Sequence, residues 1–400
     1  MSKVAIVKVE NNDIEKAVKE AINLLGGLQT FFADFSEIIL KPNLLSAPDK
    51  KEDRDKIRTD PRILEALIKM LLELKKSIVI GDTCGSGHSG GTREVLKNSG
   101  YLELGEKYEQ VDVRSLELNG PITIDVKGKK LTSVNISKDI VESQAIINVP
   151  KMKTHAMTLY TGCIKNLFGT ICGGDKTRIH SLGASIQGFS QCLVDLYAYE
   201  KPKVKLNVMD AIIALEGMGP GTSGNAVPMN LILASDDAVA LDAVAFTLMG
   251  HEPSKVPTIK YAAEQNLGVM DLSQIEILGE KIETHKKKFK LPRTAKIAII
   301  PFQRFTTITL SVPKYVGTCT ECLNCVRGCP ESVIKIVKTK SGKPKPVINY
   351  KGCISCFTCI EICPEACYNT RFKNLGKVIA IGLVVILGLA GLITTLALVL

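Results

Sequence analysis

The chain has 400 residues, 45% of them hydrophobic, with thirteen cysteines and a formal charge of +10. Length and apolar content exceed what one core usually holds, so two or three folded units are expected and a small disulfide-stapled module is excluded. The charge fits an acidic partner, an anionic substrate or a lipid surface. With only 5% aromatic residues there is little for a single-stranded nucleic acid to stack on, and no nucleic-acid partner is expected.

Over the first 280 residues, short apolar runs alternate with amphipathic stretches, which predicts an α/β fold with a mainly parallel, layered sheet. A first strand is predicted over 4–9, with no secretory leader ahead of it. The bulk of the chain is therefore expected in the cytoplasm, where thiols stay reduced and cysteines serve metals rather than disulfides. Ile14, Ala17, Val18, Ala21, Ile22 and Leu25 share one helical face, and Gly26-Gly27 ends it. A strand over 38–40 follows, and Asp60-Pro61 caps and opens a helix reaching Leu74. Further strands are predicted over 77–80, 111–113, 145–149, 204–209 and 231–234, with helices over 238–249 and 258–265. Seven Lys/Arg over 281–296 face only Glu283, so 281–310 reads as a solvated basic linker with a short strand over 297–300.

Several polar groups fall at predicted strand ends, where open α/β sheets place their ligands. Lys41-Pro42-Asn43 follows one strand, Asp82 another, and Lys151-Met-Lys153-Thr-His155 a third. If that last segment is extended after Pro150, alternate residues share a face and Lys151, Lys153 and His155 converge. Lys165-Asn166 lies ten residues on. Between Lys151 and His180 five Lys/Arg stand against Asp175 alone, which suggests a carboxylate or phosphate site; a solvated basic face is the plainer reading.

Two glycine-rich runs are weaker signals. Gly85-Ser-Gly87-His-Ser-Gly90 matches G-x-G-x-x-G but starts five residues past its strand, and as a phosphate loop it has Gly91 where the lysine belongs. The run over 216–224, after a strand carrying Asp210, opens with Glu216 and reads as a second anion loop or a plain turn.

Lys41-Pro-Asn43, Gly81-Asp-Thr83, Pro150-Lys-Met-Lys-Thr-His155, Ile164-Lys-Asn-Leu-Phe-Gly169, Asp210-Ala-Ile212, Glu216-Gly-Met-Gly-Pro220 and the run from Asp237 through Asp242 resemble the family called domain of unknown function 362. The resemblance spans about 3–280 and brings no established reaction. It implies that Lys41, Asn43, Asp82, Lys151, Lys153, His155, Lys165, Asn166, Asp210 and Glu216 belong to one site; His155 and Asp82 are the catalytic candidates, as side chains that can give a proton.

Cys319, Cys322, Cys325 and Cys329 form C-x2-C-x2-C-x3-C followed by Pro330; Cys353, Cys356, Cys359 and Cys363 repeat it before Pro364. A zinc ribbon uses two C-x2-C pairs across a longer gap and has no use for the remaining sulfurs. The run resembles the two-cluster bacterial ferredoxins over 316–370. That resemblance implies two [4Fe-4S] clusters in a domain over 311–372, the fourth cysteine of each run serving the other cluster. One set is then Cys319, Cys322, Cys325 and Cys363, and the other Cys353, Cys356, Cys359 and Cys329. Cys367 needs no ligand role and reads as a small packed residue.

The final 23 residues, 378–400, carry no charge and at ~1.5 Å per residue can span the ~30 Å hydrocarbon core of a bilayer. Arg371, Lys373 and Lys377 precede them, predicting a single-pass C-terminal tail anchor in the cell membrane with the soluble domains cytoplasmic. The expected function is electron transfer through the clusters to a reductive reaction on an anionic substrate. Two alternatives stand beside it: a docking module that brings an acidic redox partner protein to a tethered ferredoxin, and a metal-dependent transferase or hydrolase built on Asp82, Asp210, Glu216 and His155.

Overall fold

The computed structural model describes the chain except residues 47, 49, 85–90, 183–184, 223, 293–310, 328, 330–331, 340, 354–358, 360–362, 364, 366 and 373–400. The predicted strand over 297–300, the loop Gly85–Gly90, Cys356 and the 378–400 tail therefore lie outside the described residues.

Ten strands form the main sheet: β1 (Ser2–Lys8), β2 (Glu37–Pro42), β3 (Ser77–Asp82), β4 (Val111–Ser115), β7 (Ile146–Val149), β8 (Lys151–His155), β9 (Leu159–Thr161), β10 (Val204–Gly217), β11 (Gly224–Ser235) and β12 (Ile275–Gly279). A separate hairpin pairs β5 (Pro121–Asp125) with β6 (Ser133–Ser137). The main order is β12-β1-β11-β10-β7-β2-β3-β4, with β8 on β10 and β9 on β8. β11 runs antiparallel to both its neighbours, β9 runs antiparallel to β8, and the other pairings are parallel, giving a mixed, mostly parallel sheet.

Both faces of the sheet are buried. Val4 and Ile6 enter one hydrophobic cluster while Ala5 and Val7 enter the other, so the strands read as unbroken apolar runs. The helix Pro61–Glu73 starts as its sequence dictates, with Pro61 in the first turn and the Asp60 carboxylate accepting from Arg62 N.

Two strands run past their predicted ends. β2 continues through Lys41 and Pro42, paired with Asn148 and Val149 of β7, and β3 continues through Asp82, paired with Ser115 of β4. Parallel neighbours on each side keep the ladder going, so the polar residues sit inside the sheet. Pro150 interrupts the β7 line, and β8 resumes it alongside the far half of β10.

The basic segment after 280 is not free in solvent at its start. Ile282 and Phe289 are buried in the main core, Lys287 N and Phe289 N donate to Leu248 O and Met249 O, and Gly217 N donates to Lys290 O. The α/β unit thus extends about ten residues beyond the boundary read from charge alone. In the cysteine-rich region, β13 (Ser311–Tyr315) pairs with β16 (Tyr368–Phe372) and β14 (Ile334–Lys338) with β15 (Pro344–Ile348), both antiparallel. Among the described residues no helix is long and apolar enough to cross a membrane.

Candidate functional site

The carboxyl ends of β2, β3 and β8 meet the segment 162–180, which packs against them. β7 and β2 are neighbours whose onward connections leave in opposite directions along the sheet, β2 to β3 and β7 to β8 and β10; such a switch point leaves a crevice for a ligand. A cavity of about 240 Å3 occupies this place. Asn43, Asp82, Lys153, His155, Lys165 and Asn166 line it, with Lys176, His180, Phe168 and Pro220 among the rest.

Beneath it is an ion pair. Lys41, fully buried, donates from Nζ to Asp82 Oδ1 at 2.9 Å and to Pro42 O at 2.8 Å. Asp82 also accepts from Leu44 N (2.8 Å) and Thr83 N (2.7 Å). Every one of these contacts uses the carboxylate as an acceptor, so Asp82 organises the strand ends. Burial pulls the Lys41 amine below its usual range, and Asp82 opposes the shift. Gly169 packs so closely that a Cβ there would land on Asp82 Oδ1 and Lys41 Nζ. Asn166 bridges the strand ends, donating to Lys41 O (3.1 Å) and Asn148 Oδ1 (2.7 Å) and accepting from Asn43 Nδ2 (3.0 Å).

Among the described residues, the lysines and histidines of the cavity have no such acid. Lys153, 1% exposed, donates to Asn43 Oδ1 (2.6 Å) and Ile57 O (2.9 Å). Burial first, then Lys165, pushes its amine well below the ordinary lysine range. Lys165 lies over the Phe168 and Phe189 rings at 4.9 and 5.5 Å, and burial with repulsion from Lys176 lowers it to about 8. Lys176 donates to Thr83 O (2.9 Å), Cys84 O (3.0 Å) and the Thr83 hydroxyl. His155 Nδ1 accepts from Met157 N (3.0 Å) and Thr158 N (3.3 Å), which leaves the ring proton on Nε2. Burial and then Lys165 hold it neutral, well below its usual range, and the same causes bring His180, stacked on Phe189, to about 3.

Three expected members stand apart from this cavity. Lys151 donates to Asp210 Oδ2 at 2.8 Å, a second buried ion pair, in which Asp60 N also reaches Asp210. Lys151 and Lys153 do not converge because β8 follows β10 irregularly: Lys151 pairs with Asp210 and Lys153 with Leu215, five residues further on. Glu216 accepts from Lys290 N at 2.8 Å, and its glycine run is the turn of the β10–β11 hairpin, of which Pro220 reaches the cavity. Among the described residues of the α/β unit no three His, Cys, Asp or Glu side chains are grouped to hold a metal ion, and Asp82, Asp210 and Glu216 are each engaged elsewhere. Lys176 and His180 were missed singly, their only signal the basic bias of the span 151–180; Phe168 lay inside the Ile164–Gly169 motif but was given no role.

The family described as domain of unknown function (DUF362) matches residues 38–247, more than half of the chain. The chain belongs to that family. Behind the DUF362 domain, residues 314–364 match a 4Fe-4S dicluster domain, which implies two [4Fe-4S] clusters and suggests electron transfer. A thylakoid-associated protein of Synechocystis is 30% identical over 261 residues, 65% of this chain and 77% of that one. Two solved structures are looser likenesses, with TM-scores too low to carry an argument: the lactate racemase apoprotein from Thermoanaerobacterium thermosaccharolyticum (14% identity, TM-score 0.41) and a Thermotoga maritima protein (11%, 0.36). Each match covers 62% of this chain and, respectively, 57% and 59% of the other, less than two thirds of either structure.

The cysteines present fit such a group. Cys319, Cys322, Cys325 and Cys363 line one small cavity together with Cys367, Pro346 and Tyr368. Backbone N–H groups of Glu321 and Cys367 donate to Cys319 Sγ and Cys363 Sγ, each at 3.3 Å, the kind of bond that stabilises a ligating thiolate. Cys359 is buried in the same small core, with Cys329, Cys353 and Cys363 packed against it. Cys367 is packed as expected, its Sγ donating to Thr318 O at 2.9 Å.

Proposed function

We propose that this is a membrane-anchored iron–sulfur protein that delivers electrons to a small anionic substrate held in the DUF362 cavity. The observation that carries the reading is unbalanced charge: Lys165 and Lys176 line the cavity beside Lys153, and its one lining carboxylate among the described residues, Asp82, is taken by Lys41. A ligand carboxylate or phosphate completes what the protein leaves open. The Lys41–Asp82 and Lys151–Asp210 pairs hold the strand ends in place, Asn43 and Asn166 fix the rim, and His155 Nε2–H is the group set to give a proton.

Two [4Fe-4S] clusters supply one-electron transfer when bound. Cys319, Cys322, Cys325 and Cys363 would hold one, and Cys353, Cys356, Cys359 and Cys329 the other. The 378–400 segment would anchor the chain in lipid with both domains cytoplasmic, in line with the thylakoid association of the Synechocystis relative.

Anaerobically purified protein should contain about eight irons per chain, and Cys363→Ser should bring this to about four. Calorimetric titration with phosphate and small carboxylates should show binding that Lys165→Met weakens. Protein carrying zinc, or no anion binding, would overturn the respective half of the reading. Truncation before 378 should move the chain from the membrane pellet to the supernatant.

Docking of an acidic redox partner is favoured by one feature of the cysteine-rich region. The β14–β15 hairpin exposes Lys335, Lys343 and Lys345 beside Val337 and Val347, and no acidic residue occurs over 332–351. Binding of such a partner should weaken steeply with salt, whereas the buried cavity should respond much less.

A further inference from the structure

The buried lysines of the sheet edge differ in what their nitrogens touch. Lys41 and Lys151 each donate to a carboxylate. Lys153 is buried as deeply, yet among the described residues no carboxylate lies within ion-pair distance of it, and its two acceptors, Asn43 Oδ1 and Ile57 O, are both neutral. An ammonium has three protons to place; a neutral amine has two protons and a lone pair. Two acceptors match the amine, and one position on nitrogen is left over on a side chain that lines the cavity. Its strong downward pKa shift has the same cause, burial without an acid.

We propose that Lys153 presents its nitrogen lone pair to the cavity and captures there a small anionic carbonyl compound, a 2-oxo acid or an aldehyde bearing carboxylate or phosphate, as an imine. The proposal rests on the reading of the cavity as an anion site, with Lys165 and Lys176 meeting the anionic group. The lone pair attacks the carbonyl carbon while the carbon–oxygen π pair moves to oxygen, which takes the proton from His155 Nε2. Nitrogen returns a proton to His155, and the carbinolamine then loses water, the hydroxyl leaving with the one proton still on nitrogen as the C=N bond forms. No oxidant or reductant is consumed. His155 is suited to this relay because Nδ1 is already occupied by two backbone N–H groups and the side chain lines the same cavity as Lys153.

The test incubates anaerobically purified full-length protein at pH 7 with glyoxylate and sodium cyanoborohydride, which reduces an imine to a stable carboxymethyl-lysine, and maps the adducts by peptide mass spectrometry. Labelling at Lys153 should exceed that at the exposed Lys19 by at least about tenfold. Inorganic phosphate should slow labelling at Lys153 and leave Lys19 unchanged. Lys153→Met should lose the adduct and still bind phosphate, and Lys165→Met should keep it only at higher glyoxylate. If wild-type protein binds phosphate by calorimetry but is labelled evenly over its exposed lysines, the imine is overturned and the anion site stands. If phosphate neither binds nor slows labelling at Lys153, the anion site falls as well.

Discussion

Lys41 and Lys151 end on carboxylates inside the sheet edge, whereas Lys153, Lys165 and Lys176 border the cavity with carbonyl, amide, hydroxyl or aromatic partners. The first pair is closed: each charge is neutralised by the protein, and removing one member strands the other in a place without water. The second group is open: among the described residues no carboxylate pairs with it. Stability and binding should therefore separate cleanly between residues that neighbour one another in the same strands.

The largest effect expected from that contrast is on folding. Lys41→Met leaves Asp82 buried and uncompensated and should cost ~3–5 kcal/mol, as Lys151→Met should through Asp210. Lys153→Met removes an amine that strands no acid and should stay within about 1 kcal/mol of wild type. Urea unfolding of the three variants decides this; equal losses at 41 and 153 would abolish the distinction. A smaller loss, ~1–3 kcal/mol by overpacking, is expected for Gly169→Ala, whose new methyl meets the Lys41–Asp82 pair, and it should appear as a lowered midpoint with phosphate binding also impaired.

On the open side, Lys165→Met should weaken phosphate binding about tenfold, equivalent to about 1.4 kcal/mol, with little change in stability. Lys165 is charged below about 8, so wild-type affinity should fall as pH rises past that value, and the variant should lose this step in a calorimetric pH series. The smallest effect concerns Asp242, which accepts from Cys163 N (2.7 Å) and Ile164 N (3.2 Å) at the start of the segment carrying Lys165. Burial raises its carboxyl from 3.8 to about 6. The folded state thus holds a proton that the unfolded chain releases, and this contribution to stability is full below 3.8 and is lost as pH rises to about 6. Asp242→Asn should flatten that slope at a cost of ~1 kcal/mol for the weakened cap.

Much of the scaffold could be read in advance because its signals are local. Apolar runs marked the strands, Asp60-Pro61 the start of a helix, and the doubled cysteine spacing the region that matches a 4Fe-4S dicluster domain. The α/β site was legible as a list of strand ends but not as an arrangement. Which lysine meets which acid depends on register: the irregular pairing of β8 with β10 sends Lys151 to Asp210 and Lys153 to the cavity, and no spacing rule carries that information. Glu216 looked like part of a ligand loop, yet it sits at the base of a hairpin turn and holds Lys290. Asp82 looked like an acid in waiting because its three donors come from the neighbouring β2 and from backbone beyond the strand ends.

That grip on Lys290 has a consequence for how the two halves of the molecule work together. The backbone at Lys290 is fastened to Gly217 and Glu216, three residues from Pro220 on the cavity rim, so the connection to the cysteine-rich region departs beside the pocket mouth. Twenty residues, 291–310, separate Lys290 from Ser311 in the sequence, and no stretch of that length spans more than about 70 Å. An encounter between parts of one chain is unimolecular: its frequency does not change when the protein is diluted, and a freely diffusing carrier could not match that at low abundance.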